Sequence, residues 1–149
     1  MYKLIRTNSD NTDFQELVGQ LDKDLAIRDG DDHAFYAQYN KIAAIKYVVV
    51  AYEGTTPLGC GAIKEYEEGT IEVKRMFVTP EKRGKGIGSV VLKELESWAK
   101  ELGYAKCILE TGEKQPEAIQ LYKKNGYNII PNYGQYANVA ASVCFEKSV

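Results

Sequence analysis

Apolar and polar residues alternate with two different periods along this 149-residue chain, and the changes of period outline its elements. Residues 2–6 alternate as a strand does. Thr12 and Gln15 then have capping-box spacing, and Phe14, Leu17, Val18, Leu21 and Leu25 recur at helical spacing behind them. Asp29-Gly30-Asp31-Asp32 breaks that helix, and residues 33–40, with Phe35, Tyr36 and Tyr39, suit a second, short one. The β-branched run 47–52 predicts a buried strand, and 53–57 a hairpin turn. Residues 58–66 and 70–78 continue an antiparallel meander across 67–69.

From Gly86 the period becomes helical again. Ile87, Val91, Leu95, Trp98 and Leu102 make one apolar stripe, opposite Lys93, Glu94, Glu96, Lys100 and Glu101, and Gly103 can stop the helix. Residues 105–110 predict a strand parallel to its predecessor, if the crossover packs with the usual hand. Pro116 can open the next helix and Gly126 close it. Residues 127–130 and 141–146 look like a closing pair of strands around 131–136. The order is β-α-α-β-β-β-α-β-α-β-β: an α/β fold with a single mixed, mostly antiparallel central sheet flanked by helices. Residues 1–149 form one expected domain, without repeat, linker or low-complexity stretch.

Composition narrows the class. With 44% hydrophobic and 27% charged residues the chain has enough apolar side chains for a core. A net charge of −2 argues against a general affinity for nucleic acid. Neither a signal-peptide-like start nor an apolar run of membrane-spanning length is present, so a cytoplasmic protein without membrane association is expected. Cys60, Cys107 and Cys144 lie far apart in apolar surroundings, and His33 has no neighbouring ligand set. Buried structural thiols are therefore expected, and no metal.

The chemistry concentrates where the predicted strand 72–78 stops at Thr79-Pro80 and a basic, glycine-rich turn, residues 83–88, opens into the helix. Glycines let backbone amides approach a ligand closely, and a helix N-terminus carries unpaired N–H groups with partial positive charge. Gly84-Lys85-Gly86-Ile87-Gly88-Ser89 lacks the spacing of a P-loop and of a dinucleotide fingerprint. What it fits is Arg-x-x-Gly-x-Gly, beginning at Arg83. Downstream come Leu109-Glu110-Thr111 and then Gln115-Pro116-Glu117-Ala118-Ile119-Gln120-Leu121-Tyr122-Lys123-Lys124-Asn125-Gly126-Tyr127.

In these motifs the chain resembles the GNAT superfamily of acetyl-CoA-dependent N-acetyltransferases, from about residue 59 to residue 146. The glycine motif is similar to the family's Q/R-x-x-G-x-G/A, and the later run to its A-I-x-L-Y-x-x-x-G-F/Y signature. The resemblance implies the GNAT fold and acetyl-CoA as cosubstrate. It places the pantetheine arm along Met76, Phe77 and Val78, and the pyrophosphate at Arg83, Gly84, Lys85, Gly86, Ile87, Gly88 and Ser89. Lys82, Arg83 and Lys85 could reach the 3′-phosphate or simply be solvated. Gln115 stands where many relatives have an asparagine touching the pantetheine arm.

Acetyl transfer to an amine benefits from a general base and from an acid for the departing thiolate. The resemblance makes Tyr122 the acid and leaves two candidate bases, Glu72 and Glu110, or a water relay. Tyr127 is expected to pack. The implied partner is a small-molecule or peptide amine, and the chain a monomer or homodimer. Asp22, Asp24, Asp29, Asp31 and Asp32, with Tyr36, Tyr39, Tyr133 and Tyr136, would suit a cationic amine, or form a solvated acidic loop beside packed tyrosines. The alternative function is a non-catalytic acyl-CoA-binding sensor or partner module on the same fold. A nucleotide-binding regulator is more remote, because the spacing is wrong.

Overall fold

The computed structural model describes residues 2–30 and 44–149. The helix expected at 33–40, with Phe35, Tyr36 and Tyr39, lies outside the described residues, as do Asp31, Asp32, His33 and the side chain of Asp29. The strands are β1 (Lys3–Thr7), β2 (Tyr47–Glu53), β3 (Thr56–Glu67), β4 (Thr70–Val78), β5 (Lys106–Gly112), β6 (Asn128–Ile130) and β7 (Ser142–Ser148). The helices are α1 (Thr12–Asp29), α2 (Ile87–Glu101) and α3 (Pro116–Lys124). All the strands join one sheet in the order β1-β2-β3-β4-β5-β7-β6. Neighbours pair antiparallel except β4 and β5, which run parallel because α2 carries the chain back along the sheet.

Strand alternation supplies two cores. Val49, Ala51, Ile71 and Val73 meet Val91, Leu92 and Leu95 of α2, and the same cluster takes in Tyr122 of α3. Val48, Val50, Cys60 and Ala62 meet Phe14, Leu17, Val18 and Leu21 of α1 on the opposite face. Phe14 and Leu17 are almost fully buried, and each such side chain contributes about 1.5–3 kcal/mol.

Three local expectations shift. The cap of α1 is Asn11 rather than Thr12: its side-chain oxygen accepts from Phe14 N–H at 2.9 Å, and Gln15 instead donates to the Ser9 carbonyl at 3.0 Å. On α2, Glu96 is buried rather than solvated, since Tyr127 Oη donates to it at 2.9 Å and Lys147 Nζ at 2.8 Å. Leu102, expected in the apolar stripe, sits past the last helical residue and is exposed.

The feature that shapes the site is a bulge in β4. Cys60 pairs with Phe77 and Ala62 with Lys74, so Gly61 alone opposes both Arg75 and Met76. The extra residue resets the alternation. Ile71 and Val73 before the bulge, and Met76 and Val78 after it, all pack with the α2 cluster, whereas Phe77 packs with α1. Gly61 leaves little room for a side chain: a Cβ there would lie 2.5 Å from Met76 Sδ and 2.8 Å from Leu95 Cδ1, and both would have to move. Just beside the bulge, the β4–β5 register runs from Thr70↔Lys106 to Glu72↔Ile108 and goes no further. The two strands then part, and a gap opens through the sheet.

Candidate active site

A groove of about 760 Å³ runs from this gap, past the glycine turn, between the start of α2 and α3. Every residue expected to hold the coenzyme lines it except Lys85: Met76, Phe77, Val78, Arg83, Gly84, Gly86, Ile87, Gly88, Ser89 and Gln115. Gly84 and Gly86 have φ of 78° and 83°, in a region that costs an L-residue about 1–2 kcal/mol. Gly86 precedes α2 without a side-chain cap, which leaves the first-turn N–H groups and the positive end of the helix dipole open to an anion. Gly88 permits the close approach of α3, because a Cβ there would stand 3.3 Å from Leu121. Ser89 Oγ accepts from Asn125 Nδ2 at 3.0 Å.

Arg83 of the turn and Lys82 before it are already engaged. Arg83 Nε donates to the Val78 carbonyl at 2.9 Å, its guanidinium lies 5.4 Å from the centre of the Phe77 ring, and Nη2 stands 3.6 Å from Asp24 Oδ2. Lys82 pairs with Glu53 at 3.3 Å. Asp24 also meets Arg28 at 3.2 Å, and Arg28 pairs with Glu117 of α3, so the end of α1 is tied across the groove. Asp22 is bound to Arg75 at 2.6 Å. Asp22 and Asp24 of α1 thus answer cations of the chain itself.

A smaller cavity, about 90 Å³, opens where β4 and β5 part, with Glu72, Lys74, Arg75, Glu110 and Tyr136 in its lining. It shares Leu21, Met76, Gln115, Ala118 and Tyr122 with the groove. Glu72 and Glu110 alternate with Ile71 and Leu109, which belong to the α2 cluster, so both carboxylates lie on the α1 face. Glu72 accepts from Tyr133 Oη at 2.6 Å and has Lys74 Nζ at 3.5 Å. Glu110 accepts from Ser142 Oγ at 2.7 Å. Tyr122 comes from α3 on the other face, packed edge-on against Tyr127. Tyr127 packs as expected, its ring buried and its hydroxyl on Glu96.

Burial, then the charge of Glu110, pushes the Tyr122 phenol above its ordinary value, so it stays protonated. Burial, then Glu72, does the same for Tyr133, and burial, then Glu110, for Tyr136. The three cysteines are free and buried, and burial raises Cys60 to about 12, Cys107 to about 12 and Cys144 to about 11. None is a thiolate nucleophile at neutral pH. Among the described residues there is no group of His, Cys, Asp or Glu that could hold a metal, and no helix long and apolar enough to cross a membrane. The arrangement can therefore present a proton donor on one side of the sheet and carboxylates on the other, across the gap between β4 and β5.

Sequence reasoning missed several lining residues: Arg75, which reads as an ordinary strand position, and Gln120 and Lys124 of the groove; Asp24, expected to face an amine, lines the groove instead. Two glycines hint at them, since Gly61 marks a close approach and Gly88 a tight helix contact.

Known proteins share this architecture. An IAA acetyltransferase from Azospirillum brasilense is 36% identical over 141 residues, 90% of this chain and 92% of its own. A Klebsiella pneumoniae protein assigned as an acyl-CoA N-acyltransferase superposes with a TM-score of 0.83 at 27% identity, over 99% of this chain and 97% of its own. A GNAT family acetyltransferase from Elizabethkingia anophelis, with acetyl-CoA bound, gives 0.71 at 16% identity, over 99% and 98%. Residues 11–127 match the acetyltransferase (GNAT) family. With its gapped sheet, glycine turn and paired cavities, the chain belongs to that family and is an acetyl-CoA-dependent acetyltransferase.

Proposed function

We propose that this chain transfers an acetyl group from acetyl-CoA directly to a primary amine, both substrates being bound at once. One observation carries the reading: the large groove and the small cavity meet at Tyr122, where β4 and β5 part. In this reading the coenzyme takes the groove, with its pyrophosphate on the turn 83–89 and its thioester at the gap. The amine enters the small cavity.

A primary amine near pKa 10.4 is protonated at neutral pH, and freeing its lone pair costs about 4–5 kcal/mol at pH 7. Glu72 or Glu110, directly or through water, would take that proton. Backbone N–H groups released by the bulge at Arg75 and Met76 would polarise the thioester carbonyl. The amine nitrogen then bonds to the acetyl carbon, the carbon–sulfur bond breaks, Tyr122 donates its proton to the departing thiolate, and the proton that the new amide nitrogen must shed restores the Tyr122 hydroxyl. Buried, protonated cysteines support direct attack over an acetyl-cysteine intermediate.

Thermal unfolding with acetyl-CoA, against ATP and NAD, tests the first half. Ligand at a hundred times its Kd adds about 2.7 kcal/mol, which raises Tm by roughly 5–10 °C at this size. Thiol release with a panel of primary amines tests the second. Binding with no release for any amine supports the sensor alternative, and ATP acting as well as acetyl-CoA contradicts the coenzyme assignment.

A further inference from the structure

Arg75 has three properties that are rarely combined. Among the described residues it is the one non-glycine with positive φ, 60°, at the bulge beside the gap. Its side chain is only 2% exposed. Its guanidinium donates once, from Nη2 to Asp22 Oδ1 at 2.6 Å, while the buried Nε–H finds no acceptor among the described residues. A buried, charged donor left unmatched destabilises the fold, and backbone strain of this kind concentrates at functional sites.

A tie between α1 and the sheet explains only the Nη2 contact. Asp22 is 51% exposed and uses a single N–H of a group whose fork is shaped to hold a carboxylate by two. Arg75 also lines the small cavity, together with Lys74 and the carboxylates Glu72 and Glu110. Both signs of charge therefore bound one space of about 90 Å³. An ammonium can be received at one part of that wall and a carboxylate at another.

We propose that Arg75 is a specificity-determining residue that binds the carboxylate of the acceptor, and that the acceptor is a compact amino carboxylate, such as an α-amino acid. This inference rests on the acetyl-transfer reading of the same cavity. In it, the Arg75 guanidinium shifts to give its unmatched Nε–H to the acceptor carboxylate, which lies away from the gap and directs the amino group toward Glu72, Glu110 and the thioester. A simple diamine or amine lacks the group that Arg75 is built to pair.

The test compares thiol release from acetyl-CoA with free α-amino acids, their α-amides and the decarboxylated amines of the same side chains. The free acids are expected to exceed the other two in kcat/KM by about tenfold or more, because a site built to pair a polar group rejects the analogue that lacks it. Arg75→Gln should erase that preference, chiefly through KM, at unchanged acetyl-CoA affinity, whereas Asp22→Asn should retain it. If Arg75→Gln does not fold, the wild-type preference alone decides. Equal rates for acids, amides and amines would overturn the proposal and leave Arg75 as a structural tie. Acetyl-CoA binding with thiol release by no amino acid would overturn the acceptor class while keeping the coenzyme site. Failure to bind acetyl-CoA would instead remove the acetyl-transfer reading itself.

Discussion

Arg83 of the glycine turn is tied to Asp24 of α1, Nη2 to Oδ2 at 3.6 Å, inside the groove that suits the coenzyme. Both side chains are about one-third exposed, so the pair is a weak one, worth less than about 1 kcal/mol. A pyrophosphate seated on the turn would compete with Asp24 for the guanidinium and be repelled by the carboxylate. Asp24→Asn is expected to tighten acetyl-CoA by about two- to fivefold by titration calorimetry at low salt, with the gain shrinking as salt rises. Unchanged or weaker binding would mean that Asp24 does not oppose the coenzyme.

The two candidate bases are distinguished by pH. Glu72 and Glu110 both line the small cavity; Glu72 accepts from the Tyr133 hydroxyl and Glu110 from that of Ser142. The glutamine variant of the true base should lose about 10²-fold or more in kcat/KM and flatten the acidic limb of its pH profile. The other variant should keep that limb and lose only a few-fold. Both limbs surviving would assign proton removal to water alone.

Gly61 is expected to be intolerant of even one methyl group. Its Cβ would press on Met76 Sδ at 2.5 Å, Leu95 Cδ1 at 2.8 Å and Val91 Cγ1 at 3.1 Å. Flexible side-chain ends can yield in part, so Gly61→Ala should destabilise by about 1–3 kcal/mol and lower Tm by several degrees. Because Met76 lines the groove, acetyl-CoA affinity should fall as well. An unchanged Tm would show that the bulge is looser than its packing implies.

Buried phenols set the alkaline limit of the fold. Tyr122, Tyr127, Tyr133 and Tyr136 are all raised above 10.0, chiefly by burial. The folded chain keeps these protons while the unfolded chain releases them, so the stability they confer is complete below about pH 10 and is lost as pH rises above it. Each costs about 1.4 kcal/mol per pH unit in that range. Absorbance titration should show these four of the eleven tyrosines ionising only as the protein unfolds. Ionisation of all of them near pH 10 with the fold intact would contradict the burial argument.

The order of the described elements was legible because it depends on local periodicity, and Phe14, Leu17 and Val91 sit where their spacing puts them. Much of the lining of the large groove was legible because the glycine turn is contiguous in sequence, from Arg83 to Ser89. What escaped depends on contacts between distant segments. Tyr133 reaches Glu72 across 61 positions, and Arg75 reaches Asp22 across 53. Glu96 reads as solvated until Tyr127 and Lys147 arrive from later elements to pair it. The bulge was invisible for a related reason: one extra residue in β4 leaves composition unchanged but moves Arg75 to the α1 face.

The central claim is that Tyr122, buried at the junction of the two cavities, protonates the leaving thiolate. The most direct measurement is the rate of thiol release by wild type and Tyr122→Phe at saturating acetyl-CoA, with the best acceptor found, alongside the acetyl-CoA Kd of each. A fall in kcat of about 10²-fold or more at unchanged Kd is the expected result. Equal turnover in the two proteins would contradict it and remove Tyr122 from the chemistry.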